Sequence, residues 1–147
     1  FDVARRILEA GIMPFTLGAD MHGYNVTIPD ATAKSESAAN PFYGVAPFNL
    51  TIPMSELLHL GVPLEQVIEM VTCNPAKLLR MDDELGSIAV GREADISVLK
   101  IENGRFKLSD NSGESVVAEQ LIRPAFCLRA GKRFDATSAF VPDAIVA

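Results

Sequence analysis

Asp20, His22 and Asn25 are polar groups capable of proton and hydrogen-bond chemistry, and they follow directly on the run Pro14-Phe15-Thr16-Leu17-Gly18-Ala19. An apolar run that ends in a carboxylate, an imidazole and an amide has the form of a short buried strand delivering polar side chains to a loop. In a parallel α/β barrel, the carboxyl end of a strand is rigid while the loops beyond it vary. A carboxylate placed there can take a proton from water as a general base. The same Asp20 could instead cap the following turn, because Asp and Asn favour turn sites through local hydrogen bonds. His22 also has two readings: a hydrogen-bonding partner of a substrate or of the carboxylate, or a plain surface group in a loop.

Such groups act only if the elements before and after hold them. Asp2 can cap a helix that places Val3, Ile7 and Leu8 on one face and Arg5, Arg6 and Glu9 on the other, ending at Gly11. Residues 12–17 then read as the strand, with Pro14 near its start, where a missing amide donor does least harm. A helix followed by a buried strand is the unit of a parallel barrel. From residue 22 to residue 51 there is little periodicity, and Pro29, Asp30, Asn40, Pro41, Gly44 and Pro47 punctuate the segment. A connection this long after a catalytic strand would lie over the mouth of a site. Phe42, Tyr43 and Phe48 could line a substrate pocket there, or merely pin the loop to the barrel rim.

The middle of the chain is helical in pattern. Met54, Leu57 and Leu58 mark a short helix ending at Gly61, with His59 off its apolar face and so in solvent. Pro63 suits the first position of the next helix, where Leu64, Val67, Ile68 and Val71 recur at helical spacing. Asn74-Pro75 ends that helix and restarts another, with Asn74 as its cap.

After Arg80 the period changes. Residues 81–84 form a polar hinge, followed by β-like runs at 87–90, 95–101, 105–108, 119–130 and 132–134. The run 95–101 is apolar on both alternating sets, which predicts a strand covered on both faces. Asn103-Gly104 is a hairpin signal, Gly131 a tight turn, and residues 110–115 a loop. Asp95 precedes a strand and is expected to fix a turn, not to catalyse. Residues 136–147 are weakly patterned and expected to be loosely held.

Composition narrows the function classes. With 13 basic and 19 acidic residues among 147, the formal charge is −6, and no basic cluster is present, which argues against a nucleic-acid partner. No apolar run approaches the roughly 20 residues that span a bilayer, so no membrane partner is expected. Cys73 and Cys127 have no pairing pattern, as suits a reducing, cytoplasmic compartment. Phosphate-cradling glycine loops, a nucleophile elbow, His-Glu-x-x-His and Cys-x-x-Cys are absent from the sequence.

Several pieces of the sequence carry a resemblance. They are Ala19-Asp20-Met21-His22; Pro47-Phe48-Asn49-Leu50; Met54-Ser55 through Gly61; Thr72-Cys73-Asn74-Pro75-Ala76; and Leu85-Gly86-Ser87-Ile88-Ala89-Val90-Gly91-Arg92-Glu93-Ala94-Asp95-Ile96. Together they resemble the C-terminal part of an amidohydrolase-superfamily enzyme, within it the dihydroorotase-like branch of amidohydrolases and deacetylases. The resemblance runs from Phe1 to about Asp135. It implies an α/β fold: the C-terminal segment of a metal-dependent (β/α)8 TIM barrel followed by part of a small β-sandwich. The corresponding division is residues 1–80, the last barrel units with an active-site loop at 21–52, and residues 81–147, the sandwich portion.

In that family the last barrel strand ends in an aspartate beside the metal, and Asp20 stands in that place. The resemblance therefore implies Asp20 as catalytic and metal-site residue, and His22, Asn25, Tyr43 and Phe48 on the substrate side. The implied cofactor is a divalent metal, zinc, as one or two ions. A barrel of this kind also needs a His-x-His pair and further histidines, whereas this sequence holds two histidines, His22 and His59, and no His-x-His. A complete barrel takes about 250 residues. The chain is thus expected to be a fragment of a hydrolase of amide or cyclic amide bonds, inactive alone. Its expected partners are a small-molecule amide substrate, the missing N-terminal barrel portion and further copies in a homo-oligomer. The alternative from another class is a non-catalytic binding or assembly module derived from such a barrel.

Overall fold

A computed structural model describes residues 1–19, 49–110, 114–136 and 144–145. Among the described residues four helices precede three strands: α1 (Asp2–Glu9), α2 (Thr51–His59), α3 (Leu64–Val71), α4 (Cys73–Leu78), β1 (Ile96–Ser109), β2 (Ser115–Arg129) and β3 (Lys132–Asp135). The strands form one antiparallel sheet in the order β1-β2-β3. Among the described residues there is neither a parallel strand pair nor a second sheet.

The helices start and stop largely where the sequence says. α1 and α2 end at Gly11 and Gly61, both at positive φ, where Ile12 N–H reaches back to Ile7 O (3.1 Å) and Val62 N–H to Leu57 O (3.0 Å). These bonds occupy carbonyls that a helix end otherwise leaves open. Asp2 lies in the first turn of α1 and makes no capping bond; it faces Arg6 one turn on, at 3.9 Å. The break between α3 and α4 falls at Thr72, two residues before the expected cap. Pro75 is consequently the third residue of α4 instead of the first, which is tolerated because first-turn amides have no intrahelical partner to lose.

Two apolar cores meet at β2. Val62, with Met54 and Leu57 of α2 and Val67 and Met70 of α3, packs around Ile122, with Leu8 and Leu17 at the margin. Its neighbour Leu121 belongs to the other core, with Phe1, Phe106, Leu108 and Ala118. Successive side chains of a strand diverge, so one strand can serve both cores. His59 is exposed, as its position off the apolar face of α2 predicts.

The strands depart from expectation in four places. Residues 12–17 are not a strand, and Ile12, Met13 and Phe15 are 60, 46 and 53% exposed. An extended segment becomes a strand only beside another that takes its backbone groups, and none lies alongside it among the described residues. Residues 87–90 likewise form no strand, with Ile88 and Val90 in solvent.

Asn103-Gly104 does not turn the chain: β1 runs through it with a register irregularity between Asn103 and Phe106. The Phe106 ring folds back over Gly104, where a Cβ would lie 2.9 Å from Cζ, and Gln120 Nε2 donates to Asn103 Oδ1 across the strands. A glycine covered by an aromatic ring suits a bulge as well as a turn. The facing ends of β1 and β2 are joined at Asp110 and Glu114, where Asp110 N–H donates to Glu114 O and Glu114 N–H to Asp110 Oδ1, both at 3.0 Å. Finally, β1 is covered mainly on one face, with Phe106 and Leu108 buried while Asn103, Arg105 and Lys107 on the other are exposed. Pro124, which has no N–H, sits at the second register irregularity, where β2 can accommodate it.

The β2–β3 turn forms at Gly131 as the sequence indicates. Ala130 and Gly131 both take positive φ, and Asp95 Oδ1 accepts the Ala130 N–H at 2.7 Å. Asp95 thus fixes a turn. Residues 144–145 are held more firmly than their patterning suggests: Ala144 bridges to Phe106, and Ile145 N–H donates to Arg105 O at 2.6 Å.

Candidate functional site

Asp20, His22, Asn25, Tyr43 and Phe48 all lie outside the described residues. Residues 12–19 on one side and Asn49 with α2 on the other flank the segment that carries them. Both flanks are tied to the body of the molecule by specific bonds.

The leading flank hangs on α3 and α4. Leu17 N–H donates to Met70 O at 3.0 Å, and Asn74 Nδ2 donates to Phe15 O at 2.9 Å across 59 positions of sequence. Asn74 therefore spends its amide on the segment leading to Asp20, and no side-chain bond caps α4. Behind α4 lies Gly86, at φ +81°, so close that a Cβ there would stand 2.7 Å from Ala76 Cβ and 2.9 Å from both Cys73 Cα and Thr72 O. Arg92 clamps the same turn, its guanidinium donating to Leu85 O at 2.8 Å and to Asp82 O at 2.7 Å. The small residues at 76 and 86 permit a contact that any larger side chain would prevent.

The trailing flank starts with Asn49, whose Oδ1 accepts both the Thr51 N–H (3.0 Å) and the Thr51 hydroxyl (3.1 Å), satisfying an amide at the start of α2. One turn on, Ser55 is fully buried. Its hydroxyl donates to Thr51 O at 2.6 Å and accepts the Ile122 N–H of β2 at 2.9 Å, so α2 is stapled to the sheet. A serine among Met54, Leu57 and Leu58 is the signal that could have found this bond, because a polar group on an apolar face must have a partner.

Glu56 beside it is the electrostatically unusual group. Burial raises its pKa to about 7, a nearby amino terminus pulls the other way, and Asp110 adds to the rise. Its Oε1 is enclosed without a hydrogen-bond partner among the described residues. Nothing in the sequence marks this glutamate apart from the other acidic residues.

The described residues do not fit a metal. No three of their His, Cys, Asp and Glu side chains converge on one point. His59 is exposed with its ring edge-on to Phe1, and Cys127 is exposed on β2. Cys73 faces backbone and amide oxygens of its own turn, Glu69 O at 3.9 Å and Asn74 Oδ1 at 3.7 Å.

Known proteins are similar to this chain in sequence and in fold. Deacetylase Atu3266 of Agrobacterium fabrum is 28% identical over 144 residues, 98% of this chain and 31% of that protein. A dihydroorotase of Methanopyrus kandleri is 42% identical over 60 residues, 40% of this chain and 14% of that protein. The crystal structure of a dihydroorotase superposes with a TM-score of 0.70 at 25% identity, over 92% of this chain and 32% of that one. The chain thus spans about a third of the length of the curated relatives that match nearly all of it. Among the described residues no helix is long and apolar enough to cross a membrane. The model of the amidohydrolase family matches residues 1–125, taking in the segment 12–19, all four helices and most of β2, and the chain therefore belongs to the amidohydrolase family.

Proposed function

We propose that this chain is the C-terminal third of an enzyme that hydrolyses an amide or cyclic amide C–N bond, with Asp20 as its general base. The observation that carries this reading is the family match across residues 1–125, joined to relatives named deacetylase and dihydroorotase. The support for Asp20 is positional: it follows the residue at which the doubly tethered segment 12–19 ends.

The step assigned to Asp20 is balanced by water. As the water oxygen adds to the carbonyl carbon, the Asp20 carboxylate takes a proton from it. When the C–N bond breaks, that proton passes to the leaving nitrogen, giving a carboxylic acid and an amine. His22, Asn25, Tyr43 and Phe48 are proposed to face the substrate, and residues 1–80 and 81–147 to be barrel and sandwich portions. Amidohydrolases are generally metal-dependent. One or two divalent ions, zinc, are proposed for the full-length enzyme, with ligands beyond Asp20 drawn from outside this chain. The proposed setting is a cytoplasmic homo-oligomer.

The test is an assay of the full-length protein with zinc on N-acetylated amines and on a cyclic amide. Turnover should fall by about 10²- to 10⁴-fold in Asp20→Asn, the range associated with removing a general base, and residues 1–147 alone should show none. Turnover by residues 1–147 that vanishes in Asp20→Asn would overturn the proposed inactivity; undiminished turnover by the full-length variant would overturn the role of Asp20.

One observation favours the second reading, a binding or assembly module. Ile12, Met13, Phe15, Ile88 and Val90 leave apolar surface open, the kind that marks an interface. A soluble, cooperatively unfolding chain 1–147 that forms a defined assembly without turnover would support it.

A further inference from the structure

We infer that Asn103-Gly104 is a site of self-modification in the folded protein, where the Asn103 amide is lost to give aspartate and isoaspartate, and that Gln120 promotes the loss. The pair is the sole Asn-Gly of the sequence, and it forms no turn. The reaction is internal to the chain. The backbone nitrogen of Gly104 gives its proton to hydroxide and bonds to Asn103 Cγ. The Cγ–Nδ2 bond then breaks, and that nitrogen takes a proton from water and leaves as ammonia. Water opens the five-membered imide left behind at either of its carbonyls, so the main chain runs on through the original carbonyl as aspartate or through the side-chain carbonyl as isoaspartate. Overall, water is consumed and ammonia is released.

A regular ladder opposes this reaction, because it fixes the attacking backbone in its own hydrogen bonds. Here the ladder is interrupted at that point. Asn103 pairs with Gln120 and Phe106 with Ala118, so Gly104 and Arg105 stand opposite the lone Glu119, and a bulge of this kind leaves an extra residue unpaired. No Cβ shields the Gly104 nitrogen, and none can be added without meeting Phe106 Cζ at 2.9 Å. The fold therefore keeps the residue that makes its neighbour labile. Gln120 Nε2 donates to Asn103 Oδ1 at 3.0 Å. That oxygen gains negative charge as Cγ is attacked, and a donor already aimed at it stabilises the charge as it develops. Each of these contacts is made between β1 and β2, within this chain. Isoaspartate lengthens the main chain just ahead of Phe106, whose ring is wholly buried in its core, so the product hairpin is loosened.

The experiment incubates the full-length protein at mildly alkaline pH, folded and unfolded in urea, and follows the peptide that holds residue 103 by its mass and by isoaspartate-specific methylation. The folded protein should lose the Asn103 amide at no less than about a third of the rate of the unfolded chain. In Gln120→Ala the folded-state loss should slow about fivefold, the rate equivalent of one hydrogen bond, with the unfolded-state rate unchanged. A substitution that merely loosened the bulge would speed the loss instead. Asn103→Gln, whose longer side chain must close a six-membered ring, should stay intact in both states. The modified fraction should unfold at a lower temperature than the fresh protein. If the folded protein keeps Asn103 while the unfolded chain loses it, the bulge protects the pair and the inference is wrong. Equal or faster folded-state loss in Gln120→Ala would overturn the part given to Gln120, and an unshifted thermal midpoint would overturn the loosening of the hairpin.

Discussion

The β1–β2 hairpin and the segment 12–19 both carry apolar runs that read as strands, yet only the hairpin is a sheet. Along β1 and β2 a long antiparallel ladder pairs Ile96 with Leu128 through Ser109 with Ser115, and Phe106, Leu108, Ala118 and Leu121 are buried over it. The segment 12–19 keeps Ile12, Met13 and Phe15 in solvent and is held through Phe15 O and Leu17 N–H. The difference lies in where the partner comes from. An antiparallel strand finds its neighbour across a short connection, whereas a parallel strand needs one delivered by a longer crossover. Apolar sequence makes a segment sticky, but its backbone becomes a strand only where a neighbour is supplied.

Unequal sensitivity to truncation is the largest expected consequence. Phe106→Ala should cost about 3–5 kcal/mol in the denaturant-induced unfolding of residues 1–147, since the ring is wholly buried in its core. Phe15→Ala in the same chain should change stability by less than about 0.5 kcal/mol. Equal losses would mean that 12–19 is as much a part of the folded core as the hairpin.

Next in size is the seat of α4, the helix whose Asn74 holds Phe15 O. Gly86→Ala meets both a positive φ and atoms at 2.7–2.9 Å, and should cost about 2 kcal/mol or more. Gly61→Ala, at φ +89° with open space around it, should cost only about 1 kcal/mol. Thermal unfolding of the two variants separates crowding from backbone conformation; equal losses would mean that the close approach of Gly86 to α4 carries no cost of its own.

Glu56 gives a pH effect where α2 approaches the end of the hairpin near Asp110. Its folded-state pKa lies near 7, above the ordinary value of 4.5, chiefly because burial disfavours the charge. Below pH 4.5 both folded and unfolded states hold the proton and nothing is lost. Between pH 4.5 and 7 the unfolded state releases it first, so stability falls as pH rises and levels off above 7. With allowance for the partial exposure of the group, the fall should be roughly 1–2 kcal/mol. Urea midpoints of Glu56→Gln at pH 5 and pH 8 should differ less than those of the parent chain. Parallel pH dependence in the two would show that Glu56 is not the source.

The smallest effect is within the sheet. Ala130→Gly relieves φ +47° in the β2–β3 turn but adds freedom to the unfolded chain, for a net gain of about 0.5 kcal/mol. A shift in the thermal midpoint of this sign checks it; a loss would mean that Asp95 already holds the turn without strain.

Much of the fold is legible in the residues because its causes are local. The ends of α1 and α2 at Gly11 and Gly61, the exposed place of His59, the turn at Gly131 and the turn-fixing Asp95 each follow from one side chain and its near neighbours. Asn103-Gly104 misleads for the same reason: an Asn-Gly pair that can reverse the chain can also sit in a bulge, and the Phe106 ring across it decides between them. Of the site, the sequence marks Asp20 and its polar neighbours as groups with chemistry. It gives no sign that Asn74 reaches Phe15, that Ser55 holds Ile122 or that Glu56 is enclosed.

What the sequence by itself determined was the helical middle, the β-rich end and membership of a family, since periodicity, turn chemistry and motif spacing are properties of consecutive residues. What only the tertiary structure decided was which apolar runs became strands, where Asn74 spends its amide and which carboxyl is starved of water. Each of these depends on what lies across space, and the 59 positions between Phe15 and Asn74 or the 67 between Ser55 and Ile122 carry no local pattern that announces the meeting. A hydrogen bond or a desolvated charge is a relation between two places, and folding is what brings the second place near.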